Sequence, residues 1–192
     1  MEYSKKDLLP IETTRLVLRL LEPEEAELMV DYVRENREHL APWEPTRTEN
    51  FFSLEFWQKE LKKRQDEFST GQSVRLAIFF KELPNGPILG VCNFGEIMRG
   101  VFQACFLGYS IHYKYQGQGI MFEALTAAVE FMFDTFKLHR IMANYMPRNE
   151  RSGRLLKKLG FRVEGYALDY LKINGQWEDH ILTAKLKDYG IN

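Results

Sequence analysis

Between Tyr113 and Met121 the chain reads Tyr-Lys-Tyr-Gln-Gly-Gln-Gly-Ile-Met, a polar turn with glycines at 117 and 119 that ends where an apolar helical repeat begins. Glycine permits the left-handed backbone in which successive N–H groups point to one side. The first amides of a following helix are unpaired and lie at the positive end of its dipole, so such a turn suits an anion, a pyrophosphate before others. Spaced glycines alone also describe an ordinary strand-to-helix turn. Two other phosphate loops fail on single residues. A dinucleotide fingerprint would need a third glycine at 122, which is Phe122. A nucleoside-triphosphate loop would end in Gly-Lys-Ser or Gly-Lys-Thr, which is absent here.

Such a turn needs a strand before it and a helix after it, and the pattern supplies both. Cys105, Leu107, Tyr109, Ile111 and Tyr113 alternate on one strand face, while Gly108 interrupts the other, which predicts a bulge or a close backbone approach. From Gly119 to Phe136, residues Met121, Leu125, Val129, Met132 and Phe136 step by three and four, and Phe122, Ala128 and Phe131 widen the stripe. Upstream, Thr14 to Leu21 reads as a strand. Pro23 opens a helix with Glu24 and Glu25 in its first turn and Ala26, Met29, Val30 and Val33 on one face. Trp43-Glu44-Pro45 is a loop, and a second helix is predicted from about Ser53 to Phe68. Runs Val74 to Phe80 and Ile88 to Phe94 form a hairpin across Leu83-Pro84-Asn85-Gly86-Pro87. Downstream come a strand Arg140 to Met146, a short helix Asn149 to Leu159 stopped by Gly160, and strands Arg162 to Ile173 and Gln176 to Leu186 joined at Asn174-Gly175. The order predicts an α+β fold, a mixed sheet between helices, in one domain over residues 1–192.

Composition narrows the partners. A formal net charge of -1 gives no overall field for a polyanion, so no direct nucleic-acid binding is expected. The runs Lys62-Lys63-Arg64 and Lys157-Lys158 read as solvated helix faces. Cys92 and Cys105 sit in apolar runs and read as buried free thiols. The histidines show no metal spacing, with His139 and His180 structural or peripheral, and no metal is expected. No apolar stretch follows Met1 to Asp7 like that of a signal peptide, and no uncharged span could cross a bilayer, so the expectation is a cytoplasmic protein without a membrane partner.

The motif Gln116-x-x-Gly119-x-Met121 resembles the acetyl-CoA pyrophosphate loop of GCN5-related N-acetyltransferases (GNAT), usually Gln/Arg-x-x-Gly-x-Gly/Ala. Met121 departs from it in the last position, a common variation in the ribosomal-protein branch of that family. Asn149-Glu150-Arg151-Ser152 before Leu155-Leu156-Lys157-Lys158-Leu159-Gly160-Phe161 is similar to the family's second cofactor motif. Trp43-Glu44-Pro45, Leu107 to Ile111, His139 to Pro147 and Gly175 to His180 resemble the branch that acetylates the N-terminal alanine of a small-subunit ribosomal protein. The resemblance spans roughly Thr14 to Leu186.

The resemblance implies the acyl-CoA N-acyltransferase fold, in which the strand Leu107 to Ile111 splays from Arg140 to Met146 and acetyl-CoA lies in the opening. Backbone groups of Tyr109 and Ile111 would bond the pantetheine arm, and the turn from Gln116 through Gly117, Gln118, Gly119 and Ile120 to Met121 would hold the pyrophosphate. Asn149 and Ser152 would complete the cofactor side. The acceptor would be a protein N-terminus, with contact to the small ribosomal subunit. An α-amine with a pKa of about 7.7–8.0 is neutral roughly a tenth of the time at pH 7, so it needs only mild help from a base. Glu44 and Glu96 are the candidate bases, and the residues leave both open. Many family members protonate the leaving thiolate with a tyrosine at the position that is Leu156 here. Ser152 is the substitute donor, or else a partner in a cap formed by Asn149. Trp43, Tyr145, Tyr166, Tyr170 and Trp177 would line the peptide-side groove, or else belong to the core. A polyamine, an aminoglycoside or a lysine is an alternative acceptor, and a non-catalytic acyl-CoA-responsive or ribosome-assembly role is the alternative of another class.

Overall fold

Alternation along the strand Val74–Phe80 sends Val74, Leu76 and Ile78 into one buried cluster and Ala77 and Phe79 into another. A strand apolar on both faces must be covered on both, and that requirement organises the fold. The computed structural model describes residues 3–188. Its strands are β1 (Ile11–Glu12), β2 (Leu16–Arg19), β3 (Val74–Phe80), β4 (Gly90–Met98), β5 (Ala104–Ile111), β6 (Arg140–Met142), β7 (Arg162–Ile173) and β8 (Gln176–Leu186). They form one eight-stranded sheet in the order β1-β2-β3-β4-β5-β6-β8-β7. Every pairing is antiparallel except β5 with β6.

Short helix α1 (Lys5–Leu8) precedes the sheet. Helices α2 (Ala26–Glu35) and α4 (Leu54–Ser69) cover one face, while α5 (Ile120–Asp134) and α6 (Glu150–Lys158) cover the other. Pro23–Glu25 makes a single 3-10 turn into α2, and the Glu25 carboxylate accepts the Glu22 N–H at 2.8 Å while pairing with Arg19 at 2.7 Å. Met29, Val30 and Val33 are buried on the expected face. Ser53 caps α4 by accepting the Phe56 N–H. Phe136 lies beyond the end of α5 and is fully buried against Phe68 and Tyr3. Cys92 and Cys105 are buried free thiols, and burial pushes each up to about 12.

Three expectations are corrected. Arg64 is not solvated: it is packed over Trp57, 4.9 Å from the ring, and paired with Glu60 at 3.0 Å, while Lys62 and Lys63 remain exposed. Gly108 is neither a bulge nor a close approach, since a Cβ there would meet nothing within 4 Å. The β4–β5 irregularity falls between Gly95 and Met98, around Glu96 at φ 52, and the close approach is at Gly90. The strand from Arg140 stops at Met142, well short of Met146. Beyond it the Ala143 N–H donates to the Thr183 carbonyl at 3.0 Å, the Asn144 side chain accepts the Thr183 N–H at 3.2 Å, and Tyr145 bridges to β8 opposite Ile181.

The reason for that early stop positions everything below. Pairing of β5 with β6 comprises Ala104 with Arg140, Cys105 with Ile141 and Phe106 with Met142, and then ends. From Leu107 to Ile111, β5 keeps β4 on one side and has no strand on the other. Gly90 fixes the far end of this free segment: a Cβ there would lie 2.6 Å from the Ser110 carbonyl oxygen and 3.3 Å from the Ile111 Cα. Gly90→Ala is expected to push β5 outward, destabilising the fold by about 1–3 kcal/mol as other overpacked sites do. A urea midpoint equal to that of the parent chain would refute the assigned contact.

Candidate active site

The turn after β5 has the geometry its glycines require. Gly117 has φ 74 and Gly119 φ 75, and Gly119 is the N-cap residue of α5. The Ile120 and Met121 side chains point into the core, so these residues offer only main-chain N–H groups outward. Side chains brace the turn from three directions. Gln116 Oε1 accepts from Arg151 at 2.6 Å, and its Nε2 donates to His39 Nε2 at 2.7 Å. His39 also bonds the Ile111 backbone, and burial, helped by the Arg151 charge, pulls its imidazole below the usual range. Gln118 Nε2 donates to the Lys114 carbonyl at 3.1 Å, while Arg15, paired with Glu123 at 2.7 Å, reaches the Gln118 carbonyl at 3.3 Å. Arg15 and Arg151 therefore bracket the turn with positive charge. His39 and Arg15 carry no local sequence signal, because they arrive from 77 and 103 residues away.

The corner where β5 enters the turn is riveted to α2. Asn36, fully buried, accepts the Tyr113 N–H at 2.9 Å and donates to the Tyr32 carbonyl at 2.8 Å. His112, buried, accepts the Lys114 N–H on Nδ1 at 3.2 Å, which leaves Nε2 to donate to Glu35 at 3.1 Å. The bond from His112, and then that from Lys114, holds the Glu35 carboxyl below its ordinary range.

Successive residues of the unpaired β5 segment face opposite sides of the sheet, and each carries a hydroxyl pair. Tyr109 faces α6, where its hydroxyl lies 2.7 Å from Ser152 Oγ. Ser152 N–H donates to the Asn149 cap at 3.2 Å, so its backbone serves the helix end and its hydroxyl serves the opening. Burial pushes the Tyr109 phenol up to about 12. Ser110 faces α2, where its Oγ lies 2.9 Å from the Tyr32 hydroxyl. The Tyr32 phenol is raised by burial and then by the charge of Glu44.

Glu44 thus stands on the α2 side of the opening. Burial raises its carboxyl above the ordinary value, against Arg47 at 3.5 Å, which lowers it. Its carbonyl accepts the Asn174 N–H at 3.0 Å, which ties the loop to the tip of the β7–β8 hairpin. Trp43 lies under Arg148, 5.0 Å from the ring, and Arg148 also bonds the Pro42 carbonyl at 3.0 Å and Glu178 at 2.8 Å. Tyr170 accepts from Asn144 at 3.3 Å and packs on His180. Of the remaining sequence candidates Tyr145 stays beside Tyr109 and Gly153, while the others are dispersed. Tyr166 is exposed and donates to Asp179 at 2.7 Å, and Trp177 is 61% exposed on β8. Tyr145 sits on the Gly153 backbone and lines a groove of ≈ 620 Å³ on the flank of α6 that carries Arg154 and Lys157. Glu96 is exposed, five residues along β4 from Val91, the partner of Ser110, or roughly 17 Å at strand rise. Among the described residues there is no metal-binding group of three or more His, Cys, Asp or Glu, and no helix long and apolar enough to cross a membrane.

Residues 15–162 match the model of the acetyltransferase (GNAT) domain. The chain belongs to the GNAT acetyltransferase family. The matched stretch takes in the β5 segment, the turn and α6, and ends where β7 begins. Over 172 residues this GNAT chain is 51% identical to the [ribosomal protein uS5]-alanine N-acetyltransferase of Escherichia coli strain K12, covering 90% of this chain and 88% of that protein. Among solved structures, the ribosomal-protein-S5-alanine acetyltransferase from Vibrio fischeri superposes with a TM-score of 0.89 at 39% identity, over 96% of this chain and 100% of that one. Mycobacterium smegmatis RimJ in complex with CoA-disulfide superposes at 0.81 with 27% identity, over 89% of this chain and 81% of that one.

A Cβ at Gly117 would meet nothing within 4 Å and one at Gly119 would only touch the Arg15 side chain at 3.7 Å, so the backbone angle alone demands glycine there. Gly117→Ala carries a left-handed penalty of about 1–2 kcal/mol. The turn is expected to relax to escape it, and acetyl-CoA affinity measured by titration calorimetry to fall about 5- to 30-fold. An unchanged affinity in folded protein would show that the turn does not grip the coenzyme.

Proposed function

We propose that this chain transfers the acetyl group of acetyl-CoA to the N-terminal α-amine of a protein, with the alanine terminus of a small-subunit ribosomal protein as the favoured acceptor. The observation that carries the reading is the parting of β5 from β6 after Phe106 and Met142, next to a turn of main-chain N–H groups at the start of α5. Relatives named for acetylating the alanine of a ribosomal protein support the acceptor. The whole chain works as one domain in the cytoplasm, reaching its substrate on or near the small ribosomal subunit.

The bound acetyl-CoA supplies the activated acyl carbon and a thiolate leaving group. The chain's own groups do the rest. Amides of Gly117, Gly119 and Ile120 hold the diphosphate, with Gln116 and Gln118 fixing the turn, and the free backbone edge of β5 near Tyr109 receives the pantetheine amides. A main-chain N–H of that edge faces the developing oxyanion. Glu44 accepts the amine proton, directly or through water, because it is the half-buried carboxylate on the acceptor side. Glu96 is set aside for its distance along β4. Ser152, in the first turn of α6, gives its hydrogen bond to the departing sulfur, where the helix dipole also favours negative charge. Trp43 and Tyr170 border the acceptor side.

A turnover assay with acetyl-CoA and an Ala-initiated peptide, beside spermidine and an aminoglycoside, decides the acceptor. The peptide is expected to react fastest, and preference for either small amine would replace it. Ser152→Ala should lower kcat about tenfold or more while acetyl-CoA affinity moves less than about twofold, the pattern of a group engaged only in the transition state. Equal turnover would dismiss Ser152. Glu44→Gln should lower kcat/KM by about 10- to 100-fold and remove the acid limb of its pH profile. Its carboxyl is raised in the folded chain, so it favours folding below the ordinary value of 4.5 and opposes it once pH has risen through the higher folded value. The same variant should therefore melt at a higher temperature than the parent at pH 7.5 and show no such gain at pH 4. A loss of stability at pH 7.5 would mean that the carboxylate is held by contacts rather than kept ready as a base.

A further inference from the structure

We propose that Tyr109 is a positioning residue for Ser152: its phenol donates to Ser152 Oγ across the opening and so aims the serine's own hydrogen at the leaving sulfur. The inference rests on the acetyl-transfer reading and adds a residue to its machinery. The two oxygens are 2.7 Å apart, 43 residues apart in sequence, and on different elements, β5 and α6. Either could be the donor, and the chemistry around them chooses. The phenol is buried and held well above neutral pH, so it stays protonated throughout the working range and is a permanent donor. A serine whose oxygen is already bonded by that phenol keeps its single hydrogen for a second acceptor.

The acceptor available in the reaction is the coenzyme's sulfur. When the amine nitrogen bonds to the acetyl carbon and the carbon–sulfur bond breaks, the electron pair of that bond goes to sulfur. The amine gives one proton to Glu44 or its water, and the thiolate takes one from solvent after it has left. Ser152 stabilises the sulfur charge meanwhile by a hydrogen bond and need not lose its proton, and neither need Tyr109. A phenol this weakly acidic would be a poor proton source for a thiolate, which has a pKa of about 8.5. As a fixed donor to Ser152 it matches the task. The serine is held from three directions: its backbone N–H by Asn149, its oxygen by Tyr109, and its main chain by the first turn of α6. Leu156, at the helix position where the family resemblance implies a tyrosine, is buried in the core and offers no hydroxyl. The phenol of this site comes instead from β5.

The test is a double-mutant cycle read on kcat. Tyr109→Phe keeps the ring and removes only the hydroxyl. It should lower kcat about 5- to 10-fold, the loss of one hydrogen bond made useful in the transition state, with KM for acetyl-CoA unchanged. In the Ser152→Ala background the same change should have almost no further effect on kcat, because the group it orients is already gone. Calorimetric binding of acetyl-CoA and the thermal midpoint of each variant confirm intact sites. The cycle is run on whichever amine the parent chain acetylates fastest, so a wrong acceptor assignment cannot pass for a failure of the hydroxyl pair. Parent-like kcat in Tyr109→Phe, or effects of the two changes that multiply, would overturn the assignment. An effect confined to KM would give Tyr109 a role in coenzyme binding alone and would overturn it equally.

Discussion

Strands β5 and β6 share three residue pairs and then separate, and the chemistry proposed for this protein depends on that separation. A strand edge with unpaired N–H and C=O groups inside a protein is unfavourable unless something bonds to it. Here the edge from Leu107 to Ile111 is held open by its surroundings instead of being closed by β6. Gly90 lets β4 come within van der Waals limits of the Ser110 carbonyl, so β5 is pinned from behind. Beyond Met142 the chain of β6 is drawn to β8 by Asn144 and Tyr145. The opening is thus the product of two attachments that pull neighbouring strands toward different partners. A ligand with amides along its length can complete the hydrogen bonding that the sheet leaves undone.

The alternation of a β-strand then sorts the chemistry. Tyr109 and Ser110 are neighbours in sequence and lie on opposite faces, each paired to a hydroxyl on a helix of its own side. Ser152, at the start of α6, belongs to the face covered by α5 and α6, the leaving-group side of the proposed reaction. Tyr32 and Glu44 belong to the face covered by α2 and α4, its proposed acceptor side. In the proposed reaction a proton acceptor and a hydrogen-bond donor on opposite sides of one strand cannot neutralise each other directly, and a thioester crossing the opening would meet both.

Rigidity comes from the polar contacts around this plan. The turn that precedes α5 is tied to α2 through Asn36 and His112, to α3 (Arg37–Leu40) through His39, and to α6 through Arg151. Anion recognition by main-chain N–H groups works only if those groups do not reorganise when the anion arrives. The β7–β8 hairpin braces the α2 side in the same way, since Asn174 bonds the Glu44 carbonyl and Glu178 holds Arg148 over Trp43.

The sequence by itself determined most of the elements and the glycine turn before α5, because both are local. The step of three and four from Met121 to Met132 and the positive-φ pair Asn174-Gly175 are properties of a few consecutive residues, and the structure has them where the pattern put them. Ser152 was singled out through its place in a short motif, and the structure sets its hydroxyl against Tyr109. Tertiary structure alone decided which carboxylate stands by the opening: Glu44 and Glu96 look alike in sequence, and only packing separates a half-buried carboxylate beside Tyr32 from an exposed one on a bulge. It also decided the partners of Gln116, where His39 approaches from an earlier helix, and the partner of Tyr109, which the resemblance assigned to the coenzyme through its backbone and whose hydroxyl meets a helix 43 residues later. The physical reason is common to these cases. Hydrophobic period and backbone preference act between near neighbours, whereas desolvation and side-chain hydrogen bonds depend on what folding brings alongside.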